Sequence, residues 1–467
     1  MSGVFGIYSS KLGADVAAQT CFSLFALQHR GQENCGIAIC DEGVINYHRD
    51  LGLVSEVFTS KILESLGYGN MAVGHVRYTV SGQKKSRSNA QPLVVRHIKG
   101  TMAIAHCGNL TNAIELREQL ELTGAIFHST NDAEVISYMI TKARLTADSI
   151  ENAVQEALRE ITGAYSLIVM SPKKLVVARD PQGIRTLCIG TLDGDFLVAS
   201  ESCALDCLGA TFLRDVEPGE IIVIDGNGLR IVQAGTGKPK GLCVFELVYL
   251  ARQDSIIEGE SVHLARQKAG EFLANEHPVE ADVVVGVPES GIDAAMGYSH
   301  VANIPHGMGF TKNRYVGRTF IQPTPRERER AIGIKLNAIA ATLKGKRVVM
   351  IDDSIVRGTT TGKIVKLVRD VGATEVHVRI SSPPFMYPCY FGTDIDSQKN
   401  LIACKMSIEE IGRHIGADSL AYLSTESVTK IAEGSGCSFC TGCFTGKYPI
   451  PKPVRVNGMK FESKIRQ

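Results

Sequence analysis

One stretch constrains the fold more than any other: Val348-Val349-Met350-Ile351-Asp352-Asp353-Ser354-Ile355-Val356-Arg357-Gly358-Thr359-Thr360-Thr361. A short apolar run ends at two adjacent acids. A Gly- and hydroxyl-rich loop follows and leads into a helical pattern over Thr361–Val371. A short continuous apolar run bounded in this way reads as a strand covered on both faces, and therefore as part of a parallel sheet. Ala281–Val287, followed by a helix-like Gly291–Val301, and Glu375–Ile380 repeat the pattern. Open α/β sheets bind ligands at the C-terminal ends of their strands, which is where Asp352 and Asp353 fall. The amides and hydroxyls opening the next helix favour an anion. The paired carboxylates suit Mg²⁺ or the hydroxyls of a sugar. The competing expectation is a strand followed by a side-chain-capped helix, with the acids merely solvated.

Upstream the pattern changes. Ser166–Met170, Leu175–Ala178 and Glu220–Ile224 read as short strands, and Asp132–Leu145 and Ser149–Ile161 as helices, which together predict an α+β unit. The Gly/Pro/Lys-rich stretch Ala234–Lys240 is the seam. We expect one domain over 2–233, a second over 241–436, and a turn-rich segment with a basic tail over 437–467. A length of 467 residues allows two or three domains. The net charge of +1 argues against a partner bound by bulk electrostatics, such as nucleic acid or an anionic membrane. No apolar run approaches the length of a membrane span and no signal peptide is evident, so a cytoplasmic protein is expected.

The segment around Asp352 resembles the ribose-phosphate loop of type I phosphoribosyltransferases. With Lys312-Asn313-Arg314-Tyr315-Val316-Gly317-Arg318 and Phe444-Thr445-Gly446-Lys447-Tyr448-Pro449, the chain resembles the glutamine phosphoribosylpyrophosphate amidotransferases from Gly3 to about Pro449. That resemblance implies a class II glutamine amidotransferase domain of the N-terminal-nucleophile type, followed by an α/β phosphoribosyltransferase domain. The implied reaction forms 5-phosphoribosylamine and pyrophosphate from phosphoribosyl pyrophosphate in purine biosynthesis, with glutamine or ammonia as nitrogen donor. Carried over, Asp352 and Asp353 would bind ribose hydroxyls and Mg²⁺, with Ser290 of Val287-Pro288-Glu289-Ser290 near the metal. Ser354, Arg357, Gly358, Thr359, Thr360 and Thr361 would hold the 5′-phosphate. The stretch Lys312–Lys335, with seven Lys/Arg including Lys312, Arg314 and Lys335, resembles a lid over the polyphosphate. The family also implies a homotetramer with nucleotide feedback.

Thirteen cysteines are more than such a chain needs for packing. Cys437-x-x-Cys440-x-x-Cys443 has the spacing of a soft-metal ligand set, for Zn²⁺ or an iron–sulfur cluster. The resemblance, not the spacing, selects Cys243, Cys389, Cys440 and Cys443 as ligands of a [4Fe–4S] cluster. Cys21, Cys35, Cys40, Cys188, Cys203, Cys207 and Cys404 are expected to be core residues.

The glutaminase half departs from the family at two places. Its nucleophile is an N-terminal Cys whose α-amine acts as general base, and the matching residue here is Ser2. The family's His-Asn-Gly-Asn reads His106-Cys107-Gly108-Asn109, so a weakly donating thiol stands where an Asn would meet the oxyanion beside the Gly108 amide. The glutamine-holding positions Arg77, Tyr78 and Asp132 are intact. Asp132 is also expected to cap its helix. Arg30 suits either this pocket or an exposed loop. Three explanations stand: a lost glutaminase with ammonia as donor, a slow one using Ser2, or a deliberate replacement that traps substrate. A non-catalytic regulatory paralogue binding glutamine or nucleotides is the alternative from another class.

Overall fold

A computed structural model describes residues 2–78, 86–237, 239–313, 336–395 and 397–454. The first half is built on thirteen strands: β1 Ser2–Tyr8, β2 Asn34–Asp41, β3 Val44–Leu51, β4 Met71–Arg77, β5 Leu93–His97, β6 Gly100–Leu110, β7 Gly163–Met170, β8 Leu175–Arg179, β9 Cys188–Leu192, β10 Asp195–Ala199, β11 Thr211–Asp215, β12 Ile221–Asp225 and β13 Gly228–Gln233. They form two antiparallel sheets, ordered β11-β9-β10-β1-β4-β2-β3 and β13-β12-β8-β7-β6-β5.

Alternation along the strands sets the layers, because successive side chains point to opposite faces. In β1, Val4 joins Ala105 and Cys107 of β6 and Ile168 of β7 in the core between the sheets. Phe5 and Ile7 face the other way, against Leu24 of the Val16–Ala26 helix. On the far side Leu167 and Val169 pack on Ile136 and Ile140 of the Asp132–Arg144 helix. The result is helix, sheet, sheet, helix. Each fully buried Ile or Leu contributes ~1.5–3 kcal/mol. By the same parity Ser2 shares the inner face of β1 with Val4, and Cys107 shares that of β6 with Ala105. Two residues far apart in sequence are thus brought to one place.

After Gln233 no helix or strand occurs among the described residues up to Leu242, in the predicted seam. The second half contains a parallel sheet ordered Val283–Gly286, Arg347–Asp352, Glu375–Ile380 and Ser419–Tyr422. Val284, Val349 and Ile351 face the helices Val262–Glu276 and Gly291–Ala302. Val285, Val348 and Met350 face the helices Thr359–Asp370 and Ile408–Ile415. Both faces are covered, as the continuous apolar strands require.

The first of these helix pairs meets backbone to backbone. A Cβ on Gly270 would stand 1.9 Å from the Ala294 carbonyl oxygen, and one on Gly297 would stand 1.9 Å from that of Gln267. This contact fixes the start of the Gly291–Ala302 helix, and with it Ser290. Among the described residues no helix is long and apolar enough to cross a membrane.

Candidate active sites and a cysteine-lined cavity

Asp352 closes its strand and Asp353 begins the loop; both are buried. The Asp353 amide donates to Asp352 Oδ1 at 2.9 Å. The Ser290 hydroxyl donates to Asp353 Oδ2 at 2.6 Å, and that of Ser354 to Oδ1 at 2.5 Å. Burial pushes both carboxyls above the ordinary range, and the neighbouring Asp353 charge raises Asp352 further. Two crowded acids, opposed only in part by the charge of Arg266 on Asp353, make a site that favours a further cation.

The Thr359–Asp370 helix starts at Gly358, whose φ of 78° suits glycine, and no side chain caps it. The expected alternative of a side-chain-capped helix is therefore not what forms; its first amides are available to an anion. Thr361 is buried while Arg357, Thr359 and Thr360 are exposed. The peptide between Pro288 and Glu289 is cis, and Lys312 Nζ reaches Glu289 Oε1 at 3.4 Å. Ser290, Asp352, Asp353 and Ser354 are thus brought together, with Lys312 tied to the same loop. Arg314, Lys335 and the rest of the basic stretch lie outside the described residues. Sequence reading missed Arg266, buried within electrostatic range of Asp353 and Asp293. It donates to the Leu247 and Ala251 carbonyls at 2.8 and 2.7 Å, and nothing in its local sequence marks it.

In the first half Ser2 is buried and pairs with Arg77 across β1 and β4. Its carbonyl accepts two hydrogen bonds, from Arg30 Nε and from Cys107 Sγ, each at 3.0 Å. The thiol expected at the oxyanion position is thus turned onto the main chain of Ser2. Gly108 has φ 139°, and a Cβ there would lie 2.0 Å from the Ala164 carbonyl oxygen. The Arg77 guanidinium is buried and donates to the Asn89 carbonyl at 2.6 Å. Burial lowers its pKa to about 10, against the pull of Asp132 and Glu33. Tyr78, next in the chain, is half-buried.

Asp132 is not the helix cap. Asn131 takes that place, accepting from the Ala133 amide at 3.1 Å, while Asp132 Oδ2 accepts from the Leu110 amide at 2.8 Å. Adjacent Asn and Asp are equally good caps, so sequence could not choose between them. The Asp132 bond ties the end of β6, just beyond Gly108, to the helix.

Arg30 is fully buried, not an exposed loop residue. It pairs with Glu201, and through Nη1 and Nη2 with Glu246 Oε2 and Oε1 at 3.0 and 2.9 Å. Glu246 Oε1 also accepts from Arg185 Nη1 at 2.8 Å. Glu246 lies beyond the seam, so this buried quartet joins the two halves. Despite their burial, Arg30 and Arg185 hold the Glu246 carboxyl below the usual range, and His29 and Arg30 hold that of Glu201 there.

Beside it Cys243, Cys389, Cys440 and Cys443 line one apolar cavity with Ile184, Phe391 and Tyr448. Burial pushes the Cys243 thiol up to about 11 and raises Cys440 and Cys443 as well. The four share this cavity, yet among the described residues no three His, Cys, Asp or Glu gather tightly enough to hold one metal ion. Of the seven cysteines expected in the core, Cys21, Cys35, Cys40, Cys188 and Cys203 are buried, but Cys207 and Cys404 are exposed. Cys207 follows a one-turn helix, Cys203–Asp206, and Cys404 ends a 3₁₀ turn. Neither short element has a periodicity from which burial could be read.

The profile described as "Glutamine amidotransferase domain" matches residues 75–207, and that described as "Phosphoribosyl transferase domain" matches residues 254–381. The amidophosphoribosyltransferase of Synechococcus elongatus is 46% identical over 98% of this chain and 93% of its own length. Among solved structures, glutamine phosphoribosylpyrophosphate amidotransferase from Bacillus subtilis, complexed with ADP and GMP, superposes with a TM-score of 0.90. It is 43% identical and covers 98% of this chain and all (100%) of its own. A structure titled as the allosteric regulatory enzyme of purine biosynthesis gives a TM-score of 0.91 at 42% identity, covering 99% of each chain.

Proposed function

The chain belongs to the amidophosphoribosyltransferase family, and on that premise we propose how its residues divide the formation of 5-phosphoribosylamine from phosphoribosyl pyrophosphate. Asp352 and Asp353 take the ribose hydroxyls and Mg²⁺. The amides and hydroxyls from Gly358 to Thr361 take the 5′-phosphate, and Ser290 orients Asp353 through their 2.6 Å hydrogen bond. The donor set fits the metal: Mg²⁺ is commonly held by one or two carboxylates plus substrate phosphates, without an all-protein cage. When bound, the ion supplies charge neutralisation on the departing pyrophosphate. The supporting observation is the crowded acid pair beside a helix start that no side chain caps.

We also propose that glutamine use is impaired and that ammonia is the working nitrogen donor. Ser2 lacks the easily ionised thiol of the family nucleophile, and the Cys107 thiol is spent on the Ser2 carbonyl at 3.0 Å. Loss of one oxyanion donor typically costs ~10²–10³ in turnover. Arg77 and Asp132 would still receive the α-carboxylate and α-amine of glutamine.

The cavity of Cys243, Cys389, Cys440 and Cys443 suits a [4Fe–4S] cluster better than Zn²⁺. Tetrahedral thiolates on one zinc lie ~3.8 Å apart, following from Zn–S bonds of ~2.3 Å. A four-iron core spreads its ligands wider, in keeping with four cysteines that share a cavity without closing on a single ion.

The test is pyrophosphate release under anaerobic conditions with ammonia or glutamine. Ammonia should support release, and Asp352→Asn with Asp353→Asn should abolish it. Ser2→Cys with Cys107→Asn should raise glutamine-dependent release at least ~10²-fold. Equal use of both donors by the unaltered chain refutes the impairment, and no release with ammonia refutes the transferase assignment of these residues.

A further inference from the structure

Two of the four cavity cysteines are anchored outside their own half of the molecule. Asp180 shapes a turn by accepting from the amides of Gln182 at 3.0 Å and Ile184 at 3.1 Å. The Ile184 carbonyl then accepts from the Cys243 amide at 3.1 Å. The next residue, Arg185, is buried and reaches the loop that carries Cys389. Its Nε and Nη2 donate to the Phe391 carbonyl at 3.0 and 2.8 Å, and Nη2 to Thr393 Oγ1 at 3.2 Å. The Phe391 amide donates to Cys389 Sγ at 3.4 Å, so the carbonyl and amide of Phe391 connect Arg185 to the sulfur. Asn109 Nδ2, at the end of β6, donates to the Tyr390 carbonyl at 2.7 Å. The loop presses on the same strand end: a Cβ on Gly392 would lie 3.2 Å from the Gly108 carbonyl carbon.

From this arrangement we propose that Arg185 is a positioning residue for the cysteine-lined site. It fixes the Cys389 sulfur through Phe391 and places a permanent cation beside the thiolates that a metal cluster requires. The inference rests on the cluster reading above. A buried set of thiolates is costly without a nearby positive charge, and Arg185 stands within electrostatic range of Cys243 and Cys389. Its carboxylate partner Glu246 is shared with Arg30. Arg also suits the task in a way Lys does not, because its planar fork meets the Phe391 carbonyl, Thr393 and Glu246 at once.

The experiment uses the full chain in two arms. In the first, iodoacetamide labels the metal-free protein, and peptide mapping gives the alkylation rate of Cys389 relative to Cys440. Arg185→Met should raise that ratio about tenfold, the effect of losing ~1.4 kcal/mol of hydrogen bonding at the loop. In the second, anaerobic incubation with ferric iron, sulfide and dithiothreitol as reductant, which brings half of the iron to the ferrous state of a [4Fe–4S] core, is read as bound iron and sulfide and as visible absorbance. Arg185→Met should load less than half as much as the unaltered chain and bleach faster in air, with Arg185→Lys in between. Arg185→Lys also serves both arms if the Met variant fails to fold. If the Arg185 variants match the unaltered chain in labelling ratio and in loading, the positioning role is refuted. If the unaltered chain takes up no iron and sulfide, the cluster reading falls, and the labelling arm still decides whether Arg185 fixes Cys389.

Discussion

Replacing Glu246 by Ala should open the contact between the two halves. Glu246 is fully buried and is the carboxylate shared by Arg30 and Arg185. Removing one partner of a buried ion pair costs ~3–5 kcal/mol, because a desolvated charge is left behind. The two arginines are not equally exposed to that loss. Arg30 keeps Glu201 and the Ser2 carbonyl, whereas Arg185 keeps only neutral acceptors among the contacts described, Phe391 and Thr393. The change therefore counts as one orphaned cation, at the lower end, ~3 kcal/mol. That corresponds to ~150-fold more frequent local opening. Hydrogen exchange by mass spectrometry on the folded chain reads it in peptides covering 182–188 and 389–395, with 221–233 of β12 and β13 as the remote control. Glu246→Gln, which keeps an acceptor, should fall between. Exchange raised less than about threefold in the first two peptides, or raised equally in the control, would refute the view that this quartet clamps the halves.

Three further outcomes follow from the packing and charges described. Burial and Glu258 push the Asp215 carboxyl up to about 7, so its contribution to stability is full below the ordinary carboxylate pKa and is lost as pH rises through 7. Between pH 5 and 8 the unaltered chain should therefore lose ~2 kcal/mol more than Asp215→Asn in denaturant titrations, a value discounted for partial exposure. Gly270→Ala forces the Ala294 carbonyl away and should cost ~1–3 kcal/mol. Because Ser290 heads the displaced helix, ammonia-dependent turnover should fall by about tenfold or more in the same variant. Iodoacetamide mapping of the native chain should label Cys207 and Cys404 well before Cys21, Cys35 and Cys188, whose thiols are buried and held protonated.

Where a feature depends on short-range pattern, it was legible. The strand expected at Ser166–Met170 runs Gly163–Met170, and Glu375–Ile380 is observed with those bounds, because alternation and continuous apolar runs are local properties. The acid pair and its loop were readable for the same reason. Arg30 was not, since its carboxylate partners Glu201 and Glu246 are 171 and 216 positions away. A buried arginine looks like any other until its partners are placed. Cys243 and Cys389 carried no spacing signal of their own and could be singled out only through the family. The assignments of Cys207 and Cys404 failed at the ends of short elements, where one residue's shift changes exposure, and that of the Asp132 cap failed at the start of a longer helix, where the neighbouring Asn131 takes the role.

The cysteine-lined cavity also has a history in time. Its Cys243 wall leaves the ribosome about 200 residues before Cys443, which at ~5–20 residues per second is a delay of roughly 10–40 s. Cys389 follows Cys243 by 146 residues, so for most of that interval the Cys243 thiol has none of its companion sulfurs and lacks Phe391 and Tyr448 of the cavity lining. Any group that all four sulfurs hold can be completed only after nearly the whole chain has been made.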